Sequence, residues 1–381
     1  MSAYKVNPSK INWDSNESIL LFNERHRNKN VFFSSIPRLP YLKEHVWLAT
    51  SGRTHQKWVA LSKKALFTSA HSVNQHLATT AKDKWLCPLP RFHVGGLSIM
   101  VRSYLSGSSV VFFDQKWSSK EFIKALEEHK INFTSLVPAQ VYDIVVSGLS
   151  CPSHLKAVLV GGGDLSQKLY QAARELKWPL LPSYGLTECS SQVATASMES
   201  LKKKIFPKMI VLPHVKLKII NQEIVIQSES LLTGFLILSS ECSFQDPKKK
   251  GWYFTGDIGD LQGNFLKIND RQYVKILGEK LVFKELQEIL MNILLEKSFY
   301  GKCFLLLVPD ERSELEIALV TDSLNKNILM GIIKTFNQRV SPFERIRQFY
   351  FLPSLPLTDI SKLSEKTLLE ILGFPKIKRT C

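Results

Sequence analysis

From about Ser108 the chain alternates short apolar runs with stretches of helical spacing, and this alternation restricts the fold more than any other feature. SSVVFF (108–113), INFTSLVP (131–138), LKAVLVGGG (155–163) and PLLPSYG (179–185) have the length and boundaries of buried strands. FIKALEEH (122–129), AQVYDIVVSGL (139–149) and SQKLYQAARELK (166–177) lie between them and read as helices, the first behind a capping box of Ser118 and Glu121. A helix between consecutive strands lets them run parallel, so the expected class is α/β with a largely parallel sheet.

The pattern changes twice. In residues 205–270 the runs VKLKII, EIVIQS and GFLILSS are separated only by turn residues, which predicts a small antiparallel β subdomain. After Arg271 the pattern is α+β. KELQEILMNILLEK carries Leu286, Ile289, Leu290, Ile293 and Leu294 as a helical stripe. CFLLLVPD, EIALVTD and IRQFYFLPSL read as strands and NILMGIIKTFNQ as a helix. The expected division is a large domain over 1–270 and a small one over 271–381.

Composition excludes several classes. With 44% hydrophobic and 22% charged residues in 381, the chain suits a globular protein of two or three domains. No basic start precedes an apolar leader, and no apolar run nears the roughly 18 residues of a membrane span, so neither secretion nor membrane insertion is expected. Cys87, Cys151, Cys189, Cys242, Cys303 and Cys381 are scattered without metal-ligand spacing and read as reduced thiols of a cytoplasmic protein. The net charge of +16 includes runs at Lys202–Lys204, Lys248–Lys250 and the C-terminus. No nucleic-acid motif accompanies them; they read as solvated loops or as a field attracting polyanions such as ATP and CoA.

Six segments carry candidate chemistry. TSGRTHQK (50–57) offers Thr50, Ser51, Gly52, Thr54 and Lys57 to a phosphate, or is an ordinary polar turn; it is not a Walker loop. CPLPRFHVGGL (87–97) holds His93 and Gly95. Nearby Arg102, inside apolar SIMVRSYL, must pair with a protein carboxylate or clamp an anionic substrate. LVGGGD (159–164) puts Gly161, Gly162 and Gly163 where a strand ends, the usual ligand position in open α/β sheets. SYGLTECSSQVAT (183–195) supplies Tyr184, Gly185, Thr187 and Glu188, and a hydroxyl beside a carboxylate suits phosphate with Mg²⁺ or is plain turn chemistry. In GWYFTGDIGDLQGN (251–264), Asp257 could accept from two ribose hydroxyls, and LPLTDISKL (355–363) presents Lys362 alone among apolar residues.

In this order the six segments resemble the adenylate-forming superfamily of acyl-CoA synthetases, luciferases and adenylation domains, over roughly residues 50–363. CPLPRFHVGGLSIMVRS and YGLTECSSQVAT are most similar to o-succinylbenzoate–CoA ligases of menaquinone synthesis. The resemblance implies that a carboxylic acid is activated by ATP and passed to coenzyme A. Thr50, Ser51, Gly52, Thr54 and Lys57 would hold the pyrophosphate. Gly161–Gly163, Tyr184, Gly185, Thr187, Asp257 and Arg271 would hold the rest of the nucleotide. Glu188 would bind Mg²⁺, and His93, Gly95, Arg102, Ser190 and Ser191 would line the acid site. Lys362 would be the catalytic lysine of a mobile C-terminal domain hinged at Tyr273, with Gly278 on the CoA tunnel. The sequence departs from the family pattern: Arg53 and His55 replace a hydroxyl and a glycine, Ser361 precedes Lys362 instead of glycine, and Tyr273 stands where Asp or Lys is usual. About 50 residues precede the phosphate segment, so part of the usual N-terminal subdomain is expected to be missing or reduced. These departures leave two alternatives: a non-catalytic homologue that binds nucleotide or a partner, and an adenylating enzyme that loads a carrier protein. A nucleic-acid binder would rest on charge alone.

Overall fold

The computed structural model describes residues 4–5, 11–21, 42–50, 56–238, 243–269, 273–276, 279–310, 314–357 and 363–374. Two large sheets form the body. The first has six strands in the order Tyr4–Lys5, Ile19–Leu21, His45–Thr50, Gln56–Ser62, Gly234–Leu238 and Ser243–Gln245. Its central hairpin places Thr50 opposite Lys57. Side chains alternate across a strand, and here both faces are covered. Val46, Leu48, Val59 and Leu61 enter one core while Trp47, Trp58 and Ala60 enter another. That double burial explains why these strands are apolar throughout rather than at every second residue.

The second sheet has eleven strands, and its parallel half is the one expected from the alternation. Ser109–Phe112, Lys84–Cys87, Phe133–Leu136, Ala157–Val160 and Leu180–Leu186 lie side by side in parallel. Helices Val94–Ser106, Ser119–His129, Pro138–Val146 and Gln167–Glu175 make the crossovers. Lys84–Cys87 pairs with the following strand on one side and with Phe133–Leu136 on the other, so the strand order reverses there. Such a reversal opens a crevice at the carboxyl ends of the strands.

Three expectations need correction. Residues 205–270 are antiparallel strands as expected, but most of them are not a detached sheet. Lys216–Ile220, Glu223–Gln227, Tyr253–Gln262, Phe265–Asn269 and Met209–Val211 continue the parallel half as one sheet through Ser191–Ala196. Gly234–Leu238 leaves that group and pairs with Gln56–Ser62 on one side and Ser243–Gln245 on the other, where Gly234 accepts the close approach of the Phe244 ring and the Gln245 carbonyl. Ser118 does precede a helix, but its hydroxyl makes no cap bond; the helix starts on the Ser118 carbonyl instead, which accepts from Phe122.

After residue 273 come a hairpin (Tyr273–Ile276 with Glu279–Val282), helix Phe283–Glu296 and a sheet of Cys303–Asp310, Glu314–Thr321 and Ile346–Phe351. The last two strands run parallel across helix Lys326–Arg339. The stripe of Leu286, Leu290, Ile293 and Leu294 belongs to the same buried cluster as Phe122, Leu126, Val141 and Tyr170, so this module shares a core with the crossover helices. The contact is also polar: the Tyr142 hydroxyl donates to the Phe299 carbonyl at 2.8 Å, that of Tyr300 to Val146 at 2.7 Å, and Lys168 meets Glu296 at 2.7 Å. Among the described residues no helix is long and apolar enough to cross a membrane. Cys87, Cys151, Cys189 and Cys303 are free thiols.

Candidate active site

A cavity of about 340 Å³ lies at the crevice where the strand order reverses. Each wall follows a strand: Leu89 comes after Lys84–Cys87, Val137 after Phe133–Leu136, and Gly161 and Gly162 after Ala157–Val160. Gly185, Thr187, Glu188 and Ser191 close the mouth, and His93, Gly95, Ser98 and Arg102 come from the start of helix Val94–Ser106. This helix enters so tightly because Gly96 packs on backbone: a Cβ there would lie 2.4 Å from the Pro90 carbonyl oxygen. Gly185 is fixed for the same reason, since its Cβ would come within 1.9 Å of the Ser191 oxygen.

Arg102 is 2% exposed in the whole molecule. Its Nη2 donates to Ser98 Oγ at 3.0 Å and Gln192 Oε1 at 2.6 Å, and its guanidinium lies 5.5 Å from the Trp85 ring centre. Nε and Nη1 have no partner, and no carboxylate pairs with the group among the described residues. Burial pulls its pKa down to about 9. Of the two readings left by the sequence, pairing with a protein carboxylate is therefore not what the described residues show. A buried cation without a counter-charge is costly, and an anion in the cavity would offset that cost.

The mouth has the opposite character. Thr187 and Glu188 form a short turn after Leu180–Leu186, and Leu232 donates its N–H to the Glu188 carbonyl at 2.7 Å. The Glu188 carboxyl is pushed above its usual range, first by burial and then by the charge of Asp257, with Lys57 opposing. Tyr184 donates its hydroxyl to Asp257 Oδ2 at 2.6 Å, and burial with that carboxylate raises the phenol's pKa. Lys57 lies 5.2 Å from the Phe235 ring centre on the neighbouring strand. Ser190 and Ser191 both hold positive φ, 55° and 109°, and Ser191 lines the cavity. Non-glycine residues at such φ store about 1–3 kcal/mol each and concentrate at functional sites.

The structure thus gathers His93, Gly95, Arg102, Gly161, Gly162, Gly185, Thr187, Glu188 and Ser191 around one cavity. Tyr184 and Asp257 lie together beside it, with Lys57 near Glu188. Gly163 is exposed and outside the lining. Ser190 differs from expectation: it is buried, and its hydroxyl donates to the Ser230 carbonyl at 2.8 Å instead of facing the cavity. Ser51, Gly52, Thr54, Arg271, Gly278 and Lys362 lie outside the described residues, as do the side chains of Thr50 and Tyr273. Ser98, Ser135, Val137, Ser183 and Gln192 were not among the expected site residues. Two of them carried a signal: Ser98 lies one helical turn before Arg102, and Gln192 ends the Thr-Glu-x-x-Ser-Gln stretch of YGLTECSSQVAT.

The family profile of AMP-binding enzymes matches residues 46–241, half of the chain. The chain belongs to the AMP-binding enzyme family. Within this family, the 2-succinylbenzoate–CoA ligase of Bacillus pumilus is 30% identical over 339 residues, covering 84% of this chain and 67% of that one. The o-succinylbenzoate CoA synthetase of Bacillus subtilis, solved in complex with AMP, has a TM-score of 0.67 at 25% identity and covers 85% of this chain and 68% of that one. The same synthetase in complex with ATP and magnesium ion has a TM-score of 0.65 at 25% identity, with 85% and 69% covered. The chain therefore spans about two thirds of the length of these AMP-binding relatives.

Proposed function

We propose that this protein is an AMP-forming acid–CoA ligase that converts o-succinylbenzoate to its CoA thioester through an acyl-adenylate, a step of menaquinone biosynthesis in the cytoplasm. The observation that carries the substrate is Arg102, a buried cation at an apolar cavity with no protein carboxylate to neutralise it. An acid with two carboxylates can present one to the reaction and leave the other as the missing counter-charge. The ligases among the relatives act on such an acid, which supports this reading over a non-catalytic nucleotide binder or a carrier-protein loader.

The residues divide the chemistry between them. The acid's reacting carboxylate attacks the α-phosphorus of ATP and pyrophosphate leaves. Thr50, Ser51, Gly52, Thr54 and Lys57 hold the leaving phosphates, and Thr187 the α-phosphate. Asp257 accepts from the ribose hydroxyls while Tyr184, anchored on that carboxylate, flanks the adenine with Gly161–Gly163. Glu188 fits a divalent cation, because burial and Asp257 leave its carboxylate short of positive charge. Mg²⁺ held there would neutralise phosphate charge. Lys362 stabilises the charge growing between carboxylate and α-phosphate. The module over 271–381 then turns about Arg271–Tyr273, carrying Lys362 away and bringing the segment around Gly278 to the thioester step.

The test is AMP and pyrophosphate release from ATP–Mg²⁺ and CoA with o-succinylbenzoate beside a panel of aromatic and aliphatic acids. Turnover selective for o-succinylbenzoate is expected; selective turnover of another acid would overturn the substrate. Lys362→Ala should lower adenylation by about 10³-fold or more while sparing thioester formation from presynthesised acyl-adenylate. Equal loss of both half-reactions would remove that role from Lys362.

A further inference from the structure

Arg102 reaches its place through a neutral chain of hydrogen bonds. Arginine has donors only, so the Gln192 atom facing Nη2 must be the amide oxygen. The amide nitrogen of Gln192 is then turned the other way and donates to Thr195 Oγ1 at 2.7 Å. Gln192 is 4% exposed and Thr195 1%, so neither bond competes with bulk water. Gln192 stands on the strand Ser191–Ala196 next to the positive-φ pair, where the pairing with Leu180–Leu186 shifts register. The irregular backbone and the Thr195 bond thus fix one orientation of one amide against one guanidinium nitrogen. A carboxylate in the same place would have nearly the same shape but would neutralise the arginine. The amide anchors Arg102 and leaves its full charge to act on the cavity.

We infer that Gln192 is a positioning and specificity-determining residue: by holding Arg102 through a neutral acceptor, it makes the cavity prefer an acid with a second negative charge. This rests on the proposed acid–CoA ligase function and extends it to a residue that never meets the reacting atoms. Its consequence is a reversal of preference rather than a plain loss of activity.

The experiment compares o-succinylbenzoate with its two monocarboxylate analogues, 4-oxo-4-phenylbutanoate and 2-butanoylbenzoate, in wild type, Gln192→Glu and Gln192→Met. For wild type, kcat/KM should favour the dicarboxylate. In Q192E the new carboxylate occupies Arg102, and the ratio of dicarboxylate to the better monocarboxylate should fall by about 30-fold or more. In Q192M the charge stays but its anchor is gone, and KM should rise about tenfold more for the dicarboxylate than for the analogues. A merely structural role would lower all three acids by the same factor in both variants, and that result, or an unchanged ratio in Q192E, overturns the inference. If wild type turns over none of the three, the ligase reading for this acid class has failed. Calorimetric titration of phthalate against benzoate then still decides the role of Gln192, because a dianion preference present in wild type must disappear in Q192E. Absence of that preference in wild type overturns the inference as well.

Discussion

The closed end and the mouth of the cavity carry opposite electrostatic faults. At the closed end a guanidinium is buried against Trp85, Ser98 and Gln192 without a carboxylate, and burial draws its pKa down to about 9. At the mouth the half-buried Glu188 carboxylate feels the charge of Asp257, and its pKa is pushed up. Either group alone would be an ordinary defect for a fold to eliminate, since replacing a buried charge by an apolar group of similar size is often stabilising. An unneutralised guanidinium on one side and a carboxylate only partly offset by Lys57 on the other instead describe a ligand: anionic where it meets Arg102 and bound to a cation where it meets Glu188. Neither group is a charge partner of the other, and Leu89, Leu136, Val137 and Leu159 line the same cavity.

The largest effect is expected from Arg102→Met, which keeps much of the volume and removes the charge. It should lower kcat/KM for o-succinylbenzoate by about 30- to 150-fold, the effect of about 2–3 kcal/mol for a buried charge pair losing one partner. The free protein should unfold at the same or a higher temperature, because an uncompensated ion has been removed. Steady-state kinetics and thermal unfolding check the two halves. Unaltered kcat/KM would mean that the inner end is a structural site and the comparison is empty.

Glu188→Gln tests the mouth with a smaller expected effect. The variant should need about tenfold more Mg²⁺ for half-maximal adenylation. Its free form should gain stability at neutral pH, because the folded-state pKa of Glu188 is raised and the native protein holds its proton longer than the unfolded chain does. In wild type the contribution is most favourable below the unfolded value and declines as pH rises through the raised folded one. Unfolding measured against pH should therefore fall less steeply above pH 4.5 in the variant. A parallel pair of curves would place no strain at Glu188.

The two ends were unequally legible in the sequence, for physical reasons. Thr187 and Glu188 are adjacent, so their conjunction shows in a single segment. The parallel strands also show, because each is an apolar run between helical stretches. Arg102 is conspicuous as a charge among apolar residues, yet its partner Gln192 is ninety positions away and joins it only through sheet order. GFLILSS reads as a strand from its composition, but composition holds no information on which sheet takes it; the long-range pairing of Gly234–Leu238 with Gln56–Ser62 decides that. Ser190 looks like its neighbour Ser191 in sequence and faces elsewhere, because the positive-φ turn rotates one hydroxyl toward Ser230. Pairing of Tyr184 with Asp257 likewise emerges only when the antiparallel half of the sheet closes beside the parallel half.

The smallest effect is expected where charges are satisfied and wet. Glu296 meets Lys168 of the crossover layer at 2.7 Å and Arg339 of its own module at 2.7 Å, and all three side chains are more than a third exposed. Hydrogen bonds from Arg339 and Lys168 hold its carboxyl down at about 2. That figure overstates its worth, because exposed pairs are screened and contribute about 1 kcal/mol or less. The folded pKa lies below the unfolded one, so this stabilisation is present above about pH 4.5 and is lost as pH falls toward 2. Glu296→Gln should therefore lower thermal stability slightly at pH 7, by an amount that shrinks with added salt and vanishes near pH 2. It should also raise protease access to the contact between helix Phe283–Glu296 and the crossover helices, since the Lys168–Glu296 pair is a charged link across it. A salt-independent loss as large as that from a core truncation would show that solvent is excluded from the module contact, and that its charges behave like those of the cavity ends.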